Sequence, residues 1–282
     1  GFSGGYKKSN YSISCSSTAG DDLNMQTDYD YDSKVFFKDL KDELSIGEKA
    51  AKNTLAKCNP KKIKTCTSDI VFDPRVSRTI LAHFSSLING ASIARGSSFL
   101  SEKMNTKIFN KDVNIIDDPS ILRGIASKPF DDEGCGIQKL NIVQNGNLNS
   151  WILDTTTAKQ LNLNSNNRAS RGMSSPPSPS STNMFIENGS FSVNEIIKNI
   201  KDGFYVTDLI GQGVNLITGD YSRGAGGFKI EDGNITFPIN EVTIADNLKD
   251  MFSRMIIAND LDFKYSINSP TILIEGMKIA GI

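Results

Sequence analysis

Glycine is concentrated in one block of this chain, residues 203–251, and that block constrains the fold more than any other feature. Glycine at high density costs backbone entropy, so it usually marks turns with positive φ or strands that lie too close for a side chain. Short β-branched and aromatic runs separate these glycines, which predicts short strands joined by tight turns. The glycines concerned are Gly211, Gly213, Gly219, Gly224, Gly226 and Gly227.

Two dipeptides that favour β-hairpins lie between apolar runs of the chain. They are Asn145-Gly146 and Asp232-Gly233, and both suit tight turns between antiparallel strands, where positive φ is needed. A run rich in Ile and Leu over residues 271–280 predicts a buried strand. These patterns predict an α+β fold, with a largely antiparallel β-sheet and flanking helices.

Helix signals occur at three places. A helix is predicted from Pro74 to about Ile88, because Asp73 suits the N-cap, Pro74 suits the first turn and Asn89-Gly90 suits the stop. Its apolar residues recur at helical spacing. They are Val76, Ile80, Phe84 and Leu87.

The spacing Ser-x-x-Glu, typical of a capping box, predicts two further helices. It occurs at Ser45 with Glu48 and at Ser192 with Glu195.

Charge and cysteine content exclude several classes of protein. The net charge is −1, and nucleic-acid-binding proteins usually present a basic face, so no nucleic-acid partner is expected. No apolar run approaches the ~20 residues that a membrane helix needs, so no membrane partner is expected either. The four cysteines show no CxxC spacing and do not indicate a disulfide framework. Free thiols in a reducing cytoplasm are therefore expected.

Two acidic clusters and Ser222 lack the sequence patterns of a metal site or a nucleophile. Asp117-Asp118 and residues 131–133 lack the spacing of a calcium or magnesium loop, so solvated turns are the favoured interpretation. Ser222 has no G-x-S-x-G context, and the only imidazole available to activate it is His83. A serine hydrolase is therefore not expected.

One long segment lacks apolar periodicity. Residues 164–182 are rich in Ser, Asn and Pro, which predicts a mobile or irregular loop.

The glycine-rich block carries a specific family resemblance. Residues 214–233 read VNLITGDYSRGAGGFKIEDG, and residues 238–251 read PINEVTIADNLKDM. With these runs the chain resembles the TldD/PmbA family of peptidase-associated proteins. Supporting matches follow the same order upstream: GSSFL at 96–100, DDP at 117–119, FDDEG at 130–134 and SPSSTN at 178–183.

The catalytic members of that family carry a His-Glu-x-x-x-His zinc helix and a cysteine near the C-terminus. This chain has one histidine, and with His83 as first ligand, Phe84 and Ile88 stand where the acid and the second histidine belong. No cysteine follows Cys135. A zinc site needs three or four ligands, so the chain resembles the PmbA (TldE)-type member, which lacks the zinc motif. His83 is predicted to be a partly buried, hydrogen-bonded imidazole rather than a metal ligand.

The resemblance implies a domain division. Residues 1–63 would be the C-terminal part of the family's central segment, and residues 64–282 would be its C-terminal domain. The family's N-terminal domain is expected to be absent from this chain.

The resemblance also implies a function. It indicates a non-catalytic subunit of a TldD-like zinc metalloprotease complex that cleaves unfolded peptides or peptide precursors in the cytoplasm, with zinc only in the TldD-like partner. The alternative is a stand-alone binding or modulator protein, acting as a homodimer or larger homo-oligomer and linked by older family naming to DNA gyrase modulation. No catalytic or metal-binding residue is assigned to this chain.

Five polar residues inside the glycine-rich block are candidates for lining the cleft that faces the partner. The alternative is that they only hold loops together, since buried polar groups must be paired. They are Asn215, Thr218, Asp220, Ser222 and Arg223.

Overall fold

The computed structural model describes residues 1–21 and 24–282. The strands in chain order are β1 (Tyr11–Ala19), β2 (Gln26–Lys34), β3 (Cys66–Phe72), β4 (Ile115–Asp117), β5 (Leu140–Gln144), β6 (Asn147–Leu148), β7 (Ala169–Ser170), β8 (Ser178–Pro179), β9 (Met184–Ile186), β10 (Asp202–Ile210), β11 (Asp220–Glu231), β12 (Asn234–Asn247), β13 (Ile256–Ile257), β14 (Ile267–Asn268) and β15 (Ile272–Ala280). The α-helices are α1 (Glu43–Ala56), α2 (Pro74–Leu87), α3 (Gly90–Ala94), α4 (Thr155–Gln160), α5 (Val193–Lys198) and α6 (Leu248–Arg254).

The first strands form an antiparallel ribbon that packs against α1. β1 and β2 pair along their full lengths. α1 contacts both strands, and its residues Ile46 and Ala50 are buried. The N-cap of this helix is Asp42, whose Oδ2 accepts a hydrogen bond from the Ser45 amide at 3.1 Å. The predicted capping box at Ser45 is therefore wrong, because the carboxylate three residues earlier satisfies that amide and starts the helix sooner.

Five strands close into a ring. Their order is β12–β11–β10–β3–β15, and β15 pairs back onto β12, while β13 adds to the same edge of β15. Only the β10–β3 pair of this ring is parallel. A second sheet has the order β14–β9–β4–β5–β6. Antiparallel pairs predominate and helices flank the sheets, so the predicted α+β class is confirmed.

Two glycines show why the glycine-rich block folds as it does. Gly233 has φ of 76° in the turn between β11 and β12, as the Asp-Gly dipeptide predicts. Gly227 lies where β11 approaches β10 so closely that an added Cβ would stand 1.9 Å from the carbonyl oxygen of Tyr205. The block therefore forms three paired strands, β10, β11 and β12. The close approach of β11 to β10 at Gly227 requires a residue without a side chain.

The predicted helix at residue 74 is confirmed as α2. Asp73 is its N-cap and accepts a hydrogen bond from the Arg75 amide at 2.9 Å. The buried stripe faces the hydrophobic core beside β10 and β3. The end of α2 differs in one respect, because Asn89 does not simply stop the helix: its side chain caps the amide of Ala91 and starts α3.

The capping box predicted at Ser192 is also confirmed. The Ser192 hydroxyl accepts from the Glu195 amide at 3.2 Å, and the Glu195 carboxylate accepts from the Ser192 amide at 2.7 Å.

Residues 164–182 make strand pairing and buried contacts that their composition does not predict. β7 and β8 pair within this segment, and Arg168 is only 1% exposed. Its guanidinium pairs with Asp117, which also accepts hydrogen bonds from the amide and hydroxyl of Thr182 at 2.6 and 2.8 Å. The prediction of an irregular loop is therefore wrong around Arg168, because a buried ion pair ties the segment to β4.

The acidic turns are likewise not solvated as predicted. Asp117 and Asp131 are both fully buried. Asp131 accepts hydrogen bonds from the amides of Glu133, Cys135 and Ala169 at 2.9 to 3.2 Å. Both carboxylates therefore accept hydrogen bonds from backbone amides. The neighbouring Asp132 is exposed.

Within the described ranges, no helix combines the length and the apolar character that crossing a bilayer requires.

Candidate functional site

The first residues of β11 divide the five candidate residues between two faces. Side chains alternate along a strand, so Asp220 and Ser222 are exposed whereas Tyr221 and Arg223 are buried. The structure therefore does not bring all five candidates to one surface.

Three of the candidates join in an exposed network where the chain enters β11. The Thr218 hydroxyl donates to Asp220 at 2.6 Å, and Asn247 donates to the other oxygen of Asp220 at 3.2 Å. Asn215 accepts from the Ile217 amide at 2.9 Å. These bonds tie the loop to the start of α6, which Asn247 caps.

The loop of residues 211–219, which we call the β10–β11 loop, folds back along β11. The Ser222 amide donates to the carbonyl of Gly213 at 2.6 Å, and the Asn215 amide donates to the carbonyl of Asp220 at 2.9 Å. Ile217 within the loop is 63% exposed, and Ile210 just before it is 67% exposed. The loop thus presents apolar side chains to the outside while its backbone covers the start of β11.

Arg223 lies on the inner side of this region. It is 7% exposed, and its Nε donates to the carbonyl of Ile210 at 3.3 Å. Among the residues that the structure describes, no carboxylate oxygen lies within 4.0 Å of its guanidinium nitrogens. Arg223 is therefore a buried cation without an acidic partner in the described part of the chain.

His83 faces the same region from α2. Its ring meets the ring of Tyr221 edge-on, with 6.4 Å between centroids. Burial, and secondly the positive charge of Arg223, lower the pKa of His83, so the imidazole is neutral near neutral pH. The predicted partial burial is confirmed. The predicted hydrogen bond is not found at Nε2, which is buried without a partner among the described residues.

Tyr221 was not singled out from the sequence. It is 1% exposed, and its hydroxyl also has no hydrogen-bond partner in the described part of the protein. Burial raises the pKa of Tyr221, so its hydroxyl keeps its proton. The signal that could have found it is the alternation Tyr221, Ser222, Arg223 within a strand, which places the phenol and the guanidinium on one face.

The residues around His83 do not fit zinc. Phe84 packs against Phe109 and Phe252 at centroid distances of 5.2 and 5.9 Å, and Ile88 is fully buried in the same core. These positions supply carbon where a zinc site needs nitrogen, oxygen or sulfur. Within residues 1–21 and 24–282, no three His, Cys, Asp or Glu side chains are grouped to hold a metal ion.

A cavity of about 800 Å³ lies elsewhere, between the β1–β2 ribbon with α1 and the start of α2. Asp28 on its wall is buried and pairs with Lys57 and Arg75, each at 2.8 Å. Burial alone would raise the pKa of Asp28, but the hydrogen bonds from Arg75 and Lys57 outweigh it and hold that pKa below its ordinary value. The sequence signal that was missed is the alternation of Asp28, Asp30 and Asp32 along β2.

Comparison with known families gives two matches along the chain. Residues 1–57 match the PmbA/TldA metallopeptidase central domain, and residues 65–281 match the PmbA/TldA metallopeptidase C-terminal domain. The predicted division at residue 63 is not tested by these matches and stays a prediction.

Curated relatives agree over almost the whole chain. The Metalloprotease PmbA homolog of Haemophilus influenzae is 35% identical over 277 residues, covering 98% of this chain and 60% of the relative. Metalloprotease PmbA of Escherichia coli O157:H7 is 34% identical over 278 residues, with the same two coverages. The chain therefore spans about 60% of the length of these relatives.

Solved structures share the fold. A protein of Bacteroides thetaiotaomicron, whose name links it to modulation of DNA gyrase, matches with a TM-score of 0.91 at 29% identity, covering all of this chain and 62% of that one. TldE of Thermococcus kodakarensis matches with a TM-score of 0.86 at 22% identity, covering 96% of this chain and 63% of that one. Taken with the two domain matches and the PmbA relatives, these likenesses show that the chain belongs to the PmbA/TldD metallopeptidase family, as a PmbA/TldE-type member.

Proposed function

We propose that this protein is the non-catalytic subunit of a cytoplasmic zinc metalloprotease complex that cleaves unfolded peptides or peptide precursors. A TldD-like partner subunit holds the zinc and the general base. This chain completes the peptide-binding cleft and helps to hold the substrate in an extended form.

The observation that carries this proposal is the environment of His83. The α2 helix is kept, but the positions of the missing ligands belong to the hydrophobic core, as the burial of Phe84 and Ile88 illustrates. The proposal therefore assigns the general base and the zinc ligands to the TldD-like partner. The names of the PmbA relatives, which call them metalloproteases, support peptide chemistry for the assembly.

The β10–β11 loop is the part of the chain that we assign to the cleft. Exposed apolar side chains at Ile210 and Ile217 suit burial against a partner or a peptide. The hydrogen-bonded network of Asn215, Thr218 and Asp220 holds the loop in one conformation, which favours pre-organised binding.

The deciding experiment compares the TldD-like partner alone with the partner plus this protein. Unfolded casein serves as substrate, and co-purification measures assembly. We expect peptidase activity and a stable heteromer only with both proteins present. Equal activity with and without this protein would contradict the proposal. A particle built only from copies of this protein, inactive with the partner, would instead favour the modulator function to which the gyrase-linked name refers.

A pair of matched variants tests the assignment of the loop. Ile217→Asp changes the exposed loop, and Ile235→Asp makes the same change at the opposite end of the β11–β12 hairpin, where Ile235 is 45% exposed. We expect Ile217→Asp to weaken assembly or activity and Ile235→Asp to leave both unchanged. Equal effects of the two variants would show that the loop has no special part in the cleft.

A further inference from the structure

We propose that Arg223, Tyr221 and His83 together form a receptor for a carboxylate group of a bound peptide. This inference deepens the proposed function, since it names the chemistry by which the non-catalytic subunit holds part of a substrate. It is carried by three side chains that converge from β11 and α2.

Arg223 is a largely buried cation that no described carboxylate neutralises. Moving an ion out of water has an effective penalty of several kcal/mol, which proteins normally offset with an opposite charge. Arg168 meets this rule through Asp117. Arg223 is almost as buried, yet its one hydrogen bond to the described residues runs to the carbonyl of Ile210. A bound carboxylate would supply the missing negative charge.

Tyr221 and His83 supply hydrogen-bonding groups that are unused among the described residues. Buried polar side-chain atoms nearly always have a hydrogen-bond partner, but the Tyr221 hydroxyl and His83 Nε2 have none among the described residues. A protonated phenol donates one hydrogen bond, and a neutral imidazole with its proton on Nε2 donates another. The guanidinium adds further N–H groups. These donors match the two oxygens of a carboxylate, which accept several charge-assisted hydrogen bonds.

The positive charge of Arg223 determines the electrostatics of the cluster. The charged group that acts on the pKa values of His83 and Tyr221 is Arg223 in both cases. Asp220, the nearest acid along β11, points to the opposite face and is held by Thr218 and Asn247. The cluster is therefore positive, and nothing in its described surroundings competes with an incoming anion.

Access is at Arg223. Arg223 keeps 7% of its surface open, whereas the Tyr221 hydroxyl and His83 Nε2 are buried atoms. A peptide that lies along this loop can thus direct a carboxylate toward Arg223. The carboxylate can be the C-terminus of the peptide or the side chain of an Asp or Glu residue.

The single histidine gives a direct test. In the 282-residue chain labelled with ¹⁵N-histidine, His83 alone gives imidazole signals. The probes are N-acetyl-Ala-Ala with a free C-terminus, N-acetyl-Ala-Glu amide, N-acetyl-Ala-Ala amide and inorganic phosphate. We expect saturable shifts of the His83 Nε2 signal with the first or the second probe, which identifies the source of the carboxylate, and none with the uncharged amide.

Three variants complete the test. Arg223→Met is expected to weaken carboxylate binding at least about tenfold, because it removes the charge-assisted bonds. Tyr221→Phe is expected to weaken binding by a smaller factor without lowering thermal stability, because the removed hydroxyl has no partner among the described residues. Arg95→Met, at an exposed arginine, is the matched control and should leave binding unchanged.

Several results would overturn the carboxylate site. They are equal binding of the acid and amide peptides, absence of a saturable shift at millimolar probe, tighter binding of phosphate than of either carboxylate, or full binding by Arg223→Met. This experiment needs no TldD-like partner. If it fails while the two-subunit peptidase works, only the carboxylate site is refuted; if it succeeds while the peptidase assay fails, only the subunit function is refuted.

Discussion

Two buried arginines of this protein have opposite surroundings. Arg168, between α4 and β7, is 1% exposed and pairs with Asp117, and it also donates to the carbonyls of Asn166 and Gln138. Arg223, on β11, is 7% exposed, and its one hydrogen bond to a described residue runs to the carbonyl of Ile210. Both side chains are largely buried, but only the Arg168 guanidinium has an acidic partner within the described chain.

The difference distinguishes a charge that stabilises the fold from a charge that is available to bind a ligand. A buried ion pair with its hydrogen bonds complete holds two segments together, and its loss is felt as lost stability. A buried cation without an acid is a liability for stability that a ligand can remove. The surroundings of a buried charge, rather than its burial, therefore indicate what it does.

The largest effect is expected from Arg168→Met. Removing the guanidinium leaves Asp117 buried without its partner, so the free energy of unfolding should fall by about 3–5 kcal/mol. Urea unfolding followed by circular dichroism measures the change. The double variant Arg168→Met with Asp117→Asn should recover part of the loss, because it removes the uncompensated carboxylate. A loss below about 1 kcal/mol in the single variant would show that the ion pair is not the anchor of residues 164–182.

An intermediate effect is expected from Asp28→Asn. Lys57 and Arg75 both bond to Asp28, and hydrogen bonds to a charged group each contribute about 1.5–3 kcal/mol. We therefore expect a loss of that order, about 1.5–3 kcal/mol, at neutral pH.

The pH dependence of the Asp28 effect has a defined sign. Its folded pKa lies below the ordinary value of 3.8, so its contribution to stability is complete above that value and is lost as the pH falls through the folded pKa. The difference in unfolding midpoint between the native chain and Asp28→Asn should thus be full at neutral pH and shrink in acid, below about pH 4. A difference that stays constant into acid would contradict the charge-based account.

The smallest effect on stability is expected from Arg223→Met. The variant loses one hydrogen bond, worth about 0.5–1.5 kcal/mol, but also removes an unpaired buried charge, so the net change should lie within about 1 kcal/mol of zero. The same urea unfolding experiment measures it beside Arg168→Met. A loss as large as that of Arg168→Met would mean that Arg223 has a structural partner, and the contrast between the two arginines would collapse.

Local signals in the sequence predicted the start of two helices and two turns correctly, although the one at Ser45 was wrong. Asp73 and Pro74 define the start of α2, and the Ser192–Glu195 capping box defines the start of α5, because the partners lie within three residues of each other. The two Asn-Gly and Asp-Gly turns have positive φ at all four residues, as their chemistry requires.

Contacts between residues far apart in the chain could not be predicted from local sequence patterns. Arg168 and Asp117 are 51 positions apart, so residues 164–182 resemble a solvated loop in composition although a buried ion pair holds them. The pairing of β15 with β12, which closes the ring, likewise has no local signature. At the candidate site, Arg223 was found through its family motif, but its proximity to His83 depends on how α2 packs on the sheet, which no spacing along the chain encodes.

The closing strand has a consequence for how the protein is made. β15 follows β3 and β12 in the chain, yet it fits between them, with Leu273 beside Val71 and Ile279 beside Ile244. During synthesis, both neighbouring strands keep an unpaired edge until residues 272–280 leave the ribosome. Such edges readily recruit other chains. A nascent chain is therefore most vulnerable to aggregation late in translation, and a product truncated before Ile272 is expected to be recovered from cells as insoluble material.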